Sequence, residues 1–322
     1  QRRILHASGL YGSRIVAHDP GHFSVLSYPS WFANLIVLGE HLDSFDTAQV
    51  YRLLRPCGGV LCLSETGRND KKENDFFKET QQLSGIRQQL PGLPGIVRGP
   101  LPGAGGLRSQ WSDPGNTGIS REQRLKLPLE LLWFGKPGPA PMMDRHSRPG
   151  SPLSVNGRVF VAGKNCLMCF DAYNGSTLWK RDIPGAGRSS ATLRGSNLTA
   201  DDRHVYIVTG HECARLKQNT GKTDRVFHVP GKLMKTLKNR RSEQESPPPF
   251  TWGYISVEDD IITGSFARPS GGKGWNNASA IFALNSGTGK CRWIYNCSLS
   301  VAHNSIACDD SCVYLLEATP PW

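Results

Sequence analysis

Cysteines, paired histidines and a basic run are the side chains whose types and spacing could do chemistry. Cys166-Leu-Met-Cys169 has the C-x-x-C spacing of a zinc or redox site. The residues around it read as a β-strand, however, and side chains three apart on a strand point to opposite faces. No second pair follows at zinc-ribbon distance, so no metal is expected and both thiols read as small buried groups. The nine cysteines are odd in number and scattered, and Cys308 and Cys312 would pair only in an exported protein. His18 and His22 flank Asp19, but a metal site needs a third ligand placed by the fold, and an ordinary loop is the simpler reading. Residues 232–241, KLMKTLKNRR, concentrate basic side chains. With no interleaved aromatics they read as a solvated loop between repeats rather than a phosphate-binding patch, and nucleic acid is not an expected partner.

The elements that would position such groups follow from composition. A chain of 322 residues suggests about two domains. Gly (35) and Pro (22) are abundant, which favours many turns over long helices. The net charge of +11 permits acidic partners without requiring them. No apolar run is long enough for a membrane span. The opening QRRILHASGLYG has neither Met nor an apolar signal segment and reads as an internal piece of a longer chain.

One pattern recurs. The stretch CFDAYNGSTLWKRDIPG reads as a hairpin whose turn is made by Asn174-Gly175. Anchored on Gly175, the same grammar returns at Gly221 and Gly289. Five residues before each glycine stand Phe170, Leu216 and Leu284; four after stand Trp179, Arg225 and Trp293. A polar turn and a β-rich run precede each hairpin, as in Val155-Asn-Gly-Arg-Val-Phe-Val161, and a further such pair begins at Ala307. Each unit therefore holds about four short strands, the signature of a propeller blade, with the tryptophan expected as a wedge between neighbouring blades.

Asp171-Ala-Tyr-Asn-Gly-Ser-Thr-Leu-Trp179 and Asn285-Ser-Gly-Thr-Gly-Lys-Cys-Arg-Trp293 resemble the repeats of the pyrroloquinoline-quinone-type (PQQ) β-propellers. That family includes quinoprotein alcohol dehydrogenases and non-enzymatic outer-membrane assembly propellers. The middle copy departs from the pattern, with Lys217 and Arg225 at the Asp and Trp positions. The resemblance covers roughly residues 104–322 and implies an incomplete propeller of about three to four four-stranded blades. It implies a binding or scaffold role, with a protein or small-molecule ligand at the propeller face, in the periplasm or cell envelope. Quinone-dependent alcohol or sugar oxidation is the alternative; it implies PQQ and Ca²⁺, for which Asp144, Asn165, Glu212 and Asp259 are the available carboxylates and amides.

Residues 1–100 follow another grammar: strands at Arg14–Asp19, Phe32–Leu38 and Gly59–Leu63, helices at Asp46–Leu54 and Asn69–Leu83 ended by Gly85. That order implies a parallel α/β sheet. Tyr51-Arg-Leu-Leu-Arg-Pro-Cys-Gly-Gly-Val60 resembles the R-x-L-R-P-G-G turn of class I S-adenosylmethionine-dependent methyltransferases, with Cys57 where glycine is usual. The resemblance implies a partial Rossmann-like unit, the C-terminal half of that domain, with Asp19 near the adenosine of S-adenosylmethionine. The glycine-rich turn that would cradle the cofactor is missing, so methyl transfer requires one upstream. The expected organisation is thus mixed: 1–100 a partial α/β unit, 101–322 an incomplete all-β propeller.

Overall fold

A computed structural model describes residues 2–9, 11, 28–39, 46–64, 71, 74–75, 78, 85–90, 93–135, 138–143, 150–187, 197–238, 251–267 and 277–319. The chain divides into two compact units, Gln1–Leu101 and Pro102–Trp322. Among the described residues no helix is long and apolar enough to cross a membrane.

The first unit contains α1 (Arg2–Ala7), β1 (Leu35–Leu38), α2 (Thr47–Leu53), β2 (Val60–Leu63), β3 (Gly85–Leu90) and β4 (Leu93–Arg98). The Asp46 side chain accepts from Ala48 N (2.9 Å) and satisfies one of the orphan amides that start α2. Pro56 lies just beyond the helix, where it cannot continue the turn. Val50, Tyr51 and Leu54 pack on Leu61, Leu63 and Ile96. Buried Arg98 donates through Nη1 to Tyr51 O (2.8 Å) and Leu54 O (2.5 Å), and its guanidinium lies 4.4 Å from the Tyr51 ring centroid. It thereby gives Leu54 O a donor just past α2 and gives Tyr51 O, which already accepts from Leu54 N (3.1 Å), a second one.

The sheet order is β1-β2-β4-β3. Only β1 and β2 are parallel; β4 runs antiparallel to both β2 and β3. The expected all-parallel sheet is therefore corrected to a mixed one. Gly85, expected to stop a helix, begins β3, and Leu90 faces Leu93 across a connection of two residues. Two residues can return a chain only antiparallel; a parallel return needs a long crossover, as α2 supplies between β1 and β2. Asp19 and the strand expected at 14–19 lie outside the described residues, as do His18 and His22. Of the helix expected at 69–83, Lys71, Asn74, Asp75 and Lys78 are described and helical.

The second unit contains two four-stranded antiparallel sheets followed by a five-stranded one, a propeller-like arrangement. Blade 1 is β5 (Leu153–Val155), β6 (Arg158–Ala162), β7 (Cys166–Asp171) and β8 (Thr177–Asp182). Blade 2 is β9 (Leu198–Ala200), β10 (His204–Thr209), β11 (Glu212–Lys217) and β12 (Thr223–His228). After α3 (Gly231–Lys238), blade 3 is β13 (Thr251–Glu258), β14 (Ile261–Ala267), β15 (Asn277–Asn285) and β16 (Cys291–Ala302). A hairpin of β17 (Ala307–Cys308) and β18 (Val313–Tyr314) follows, and β19 (Glu317–Ala318) pairs with the end of β16. The loop expected at 232–241 is helical as far as Lys238, because Leu233 and Met234 pack against an apolar cluster and fix one face.

The apolar core lies between sheets. Leu153, Phe160, Leu167 and Trp179 of blade 1 cluster with Leu198, Val205, Ile207 and Leu216 of blade 2. Tyr206 and Phe227 of blade 2 cluster with Trp252, Ile255 and Phe282 of blade 3. A four-stranded sheet has two faces, and stacking is what buries them.

The repeated hairpin differs from the two-residue turn expected at Asn174-Gly175. Gly175 N donates to Asp171 O (3.0 Å) and Asp171 N to Ser176 O (2.9 Å), so four residues form the loop. Only the glycine takes positive φ, +70°. Gly221 (+65°) and Gly289 (+76°) repeat the arrangement, each with a register shift just upstream, at Cys169/Phe170, Arg215/Leu216 and Ala283/Leu284. The two-residue turn with both residues at positive φ occurs instead at Asn156-Gly157, between β5 and β6.

Candidate functional site

The three register-equivalent positions after the turn are Trp179 opposite Cys169, Arg225 opposite Arg215 and Trp293 opposite Ala283. Trp179 reaches into the next blade. Its indole Nε1–H donates to Gln218 O (2.8 Å), and its ring covers Gly221 so closely that a Cβ there would lie 2.7 Å from Cδ2 and Cε3. Gln218 is itself buried and donates to Asp201 O (2.7 Å), which ties the turn to its own sheet.

Trp133 makes the same joint one step earlier, covering Gly175 and donating Nε1–H to Ala172 O (2.9 Å). Sequence reasoning missed it, although a signal existed: Trp133 stands 46 residues before Trp179, the spacing that separates Gly175 from Gly221.

The joint between blades 2 and 3 is made differently. Arg225 Nη1 donates to Thr288 O (3.1 Å) and Arg215 Nη1 to Ser286 O (2.7 Å), two carbonyls of the turn carrying Gly289. Arg215 is also paired with Asp224, whose carboxyl the guanidinium holds below its usual range. Guanidinium donors thus do what an indole N–H does elsewhere, without an indole pressed on the glycine. The nearest atom to a Cβ at Gly289 would be Phe227 Cδ1 at 3.6 Å.

Asp171 is fully buried, and its Oδ1 accepts from the amides of Tyr173 (2.9 Å) and Asn174 (3.1 Å). Asn285 does the same in blade 3, accepting from Thr288 N (2.7 Å). Lys217 has no acceptor to offer, and the Gly221 turn is closed by Gly221 N to Lys217 O (2.9 Å) and Lys217 N to Lys222 O (3.0 Å), with Thr220 Oγ1 accepting from Lys222 N (3.3 Å). These residues build turns.

Cys166 and Cys169 sit on opposite faces of β7: Cys166 packs with Met168 and Phe170, Cys169 with Leu167 and Phe160. Burial pushes the Cys169 thiol up to about 12, which suppresses the reactive thiolate. Among the described residues no group of three or more His, Cys, Asp or Glu side chains is placed to hold a metal ion. The residues considered for Ca²⁺ do not converge. Asn165 and Glu212 lie at turns between second and third strands, whereas Asp259 lies at a turn between first and second strands. In an antiparallel sheet those are opposite ends. Asn165 Oδ1 is occupied by Gly185 N (3.2 Å), and Asp144 lies outside the described residues.

Trp293 is 38% exposed. It borders a cleft of about 950 Å³ between blade 3 and the β17–β18 hairpin, walled by Trp293, Tyr295 and Tyr314. Glu258, Asp259 and Asp260 line it from one turn, Asp309 and Asp310 from the other. Asp260 is paired with Arg292. Burial pushes the Glu258 carboxyl up. Hydrogen bonds from the amides of Ser311 and Cys312 and the Tyr314 hydroxyl hold Asp309 down at about 2. Excess negative charge beside exposed aromatic rings suits a cationic ligand group.

The fold and these joints define a β protein of stacked, blade-like repeats. No protein-family model matches the chain, and no curated protein matches it. Solved structures similar to it include BamB from Moraxella catarrhalis, at 15% identity and a TM-score of 0.35, covering 61% of this chain and 51% of that one. Another is a quinohemoprotein alcohol dehydrogenase from Pseudomonas putida, at 16% identity and a TM-score of 0.41, covering 60% and 27%. A europium-containing methanol dehydrogenase matches at 17% identity and a TM-score of 0.33, covering 48% and 34%. The chain spans about half the length of that BamB and about a quarter of that alcohol dehydrogenase.

Proposed function

We propose that residues 102–322 act as a non-catalytic scaffold of propeller blades that binds a protein or small-molecule ligand at its face. The observation that carries this reading is the cleft beside Trp293, where exposed aromatic rings and acidic turns form a recognition surface. Of the candidates for holding Ca²⁺, the three described ones, Asn165, Glu212 and Asp259, are dispersed over opposite sheet ends. Residues 1–100 belong to the same reading as a methyltransferase-like α/β unit without catalysis of its own in this chain. The β1–α2–β2 crossover and the turn Arg52-Leu-Leu-Arg-Pro56, held by Arg98, support that assignment. The reading places the protein in the periplasm or cell envelope, and recovery only in the cytoplasmic fraction of its native cells would contradict this.

Native mass spectrometry tests the rest. After incubation with PQQ and Ca²⁺, or separately with S-adenosylmethionine, the expected mass is that of the unliganded chain. A stoichiometric quinone adduct would overturn the scaffold reading in favour of oxidation. A stoichiometric S-adenosylmethionine adduct would overturn it for the first unit in favour of methyl transfer.

A further inference from the structure

Residues 103–123 form a strap whose two ends meet. Gln123 N donates to Gly103 O (2.9 Å), and the Glu122 carboxylate clasps both ends, accepting from Gly105 N (2.8 Å) through Oε2 and from Arg124 N (2.6 Å) through Oε1. The Gly105 and Arg124 amides hold that carboxyl below its usual range. The ends press so closely that a Cβ at Gly105 would lie 2.5 Å from Glu122 N. Between them the strap crosses the first strands of three repeats. Ser154 N of blade 1 donates to Leu107 O (2.9 Å), Ala200 N of blade 2 to Arg108 O (2.9 Å) and Cys308 N of the β17–β18 hairpin to Pro114 O (2.8 Å). Asn116 Nδ2 adds a bond to Ile306 O (2.6 Å). Ser154, Ala200 and Cys308 hold one register position, each paired with a valine of the next strand, Val159, Val205 and Val313. β9 touches both β5 and β13, as first strands do around the axis of a propeller. The strap therefore runs around that axis and ties together repeats that share no sheet.

We infer that residues 103–123 are a coupling strap: closed at the Glu122 clasp, it holds the first strands of blades 1 and 2 and the β17–β18 hairpin as one cooperative unit, and opening the clasp frees all three together. The strap is braced within itself. Ser109 and Ser112 exchange both backbone hydrogen bonds (3.2 Å each), Gly118 N donates to Trp111 O (3.0 Å), and the Asp113 carboxylate accepts from Thr117 N (3.1 Å) and Thr117 Oγ1 (2.7 Å). A segment braced in this way moves as one body, so its anchors open together rather than one by one. Blade 3 is passed over: among the described residues no backbone hydrogen bond joins the strap to Val257, which holds the same register position there opposite Ile262. This coupling goes beyond the scaffold reading and is independent of which ligand the scaffold takes.

The three donor amides report the strap directly, and hydrogen exchange of the intact protein followed by nuclear magnetic resonance reads them one by one. Glu122→Gln is the mild perturbation, since it keeps the side-chain shape but leaves one of the two amides without a carboxylate oxygen. Gly105→Ala is the stronger one, since its methyl must push against Glu122 N. Either is expected to speed exchange at Ser154, Ala200 and Cys308 by a common factor of about fivefold or more, with Phe282 in the middle of blade 3 unchanged. Asn116→Gly keeps the positive φ of +54° but removes the bond to Ile306 O, and it is expected to speed exchange at distant Ser154 as well as at Cys308. Faster exchange confined to the anchor nearest each substitution overturns the coupling, because the strap then opens piecemeal. Equal acceleration at Phe282 overturns it too, because the strap then opens only with the whole fold. Unchanged exchange at all three amides in both clasp variants overturns the role of the clasp.

Discussion

Gly221→Ala and Gly289→Ala make the same chemical change at two equivalent turns, yet they should differ sharply in cost. Both glycines have positive φ, +65° and +76°, so each alanine bears a left-handed strain of about 1–2 kcal/mol, partly offset by reduced freedom of the unfolded chain. That contribution is common to both. At Gly289 the new methyl would meet nothing nearer than 3.6 Å, ordinary van der Waals contact. At Gly221 it would sit 2.7 Å from two indole carbons of Trp179, so the ring must lift. Forcing a methyl into a packed joint costs about 1–3 kcal/mol. Lifting the ring also weakens the 2.8 Å hydrogen bond to Gln218 O, about 1 kcal/mol more. Gly221→Ala should therefore be worse than Gly289→Ala by about 2–4 kcal/mol. With a denaturation slope of about 2–3 kcal/mol/M, the urea midpoint should fall roughly 1 M further. Equilibrium unfolding followed by tryptophan fluorescence and far-ultraviolet circular dichroism reads this directly. Equal midpoints for the two variants would refute the close cover of Gly221 by the Trp179 ring. So would a double-mutant cycle in which Trp179→Leu fails to relieve Gly221→Ala, since contacting residues should couple by about 1–3 kcal/mol.

Other outcomes follow from the same geometry. Trp133→Ala should lower the urea midpoint, the substitution of a packed tryptophan costing about 3 kcal/mol in the partly covered joint, whereas Trp293→Ala should leave it within about 0.5 kcal/mol. Cys57→Gly should stabilise the first unit by about 0.5–1 kcal/mol, because Cys57 sits at φ +56°; thermal melting checks it, and a lower melting temperature contradicts it. The Asp309 carboxyl is depressed in the folded state, so its contribution to the β17–β18 hairpin is present above the unfolded value near 3.8 and lost as pH falls toward 2. Amide exchange at Ser311 and Cys312 should therefore gain protection as pH rises through that window, after correction for intrinsic rates, and Asp309→Asn should remove the dependence. Cys169 and Cys213 should resist thiol reagents in the folded protein, since burial pushes both thiols up, while exposed Cys312 reacts first; mass mapping after brief alkylation decides it.

How much was legible depended on whether the signal was local. The alternation entering each turn, Met168 and Phe170 before Gly175 or Phe282 and Leu284 before Gly289, is a property of consecutive residues, and the strands appear where it predicts. The two-residue turn at Asn174-Gly175 was misread because Asn-Gly is a local cue, whereas the loop actually used depends on how β7 and β8 pair across it. Trp133 lies in a stretch without strand pairing, so no alternation marks it; only the spacing to Trp179 points there. The β3–β4 hairpin was hidden by a helix-like composition just before it, although the connection Leu90-Pro-Gly-Leu93 is short enough to dictate an antiparallel return. The cleft was beyond sequence reading altogether, because its acidic rim joins turns 50 residues apart.

The two ring-capped joints carry a consequence for how such a chain can be cut and spliced. In both, the tryptophan precedes the glycine it covers by 42 residues, while Arg225 precedes Gly289 by 64. The interchangeable cassette is therefore not a sheet but the stretch from one tryptophan to the next, because each end is finished by the same indole meeting the same kind of turn. Excising residues 134–179 would put Trp133 where Trp179 now stands, with an identical side chain presented to Gly221. Where arginines bridge the gap instead, their reach accommodates a connection of different length, and that junction is the one that can accept an inserted segment such as α3.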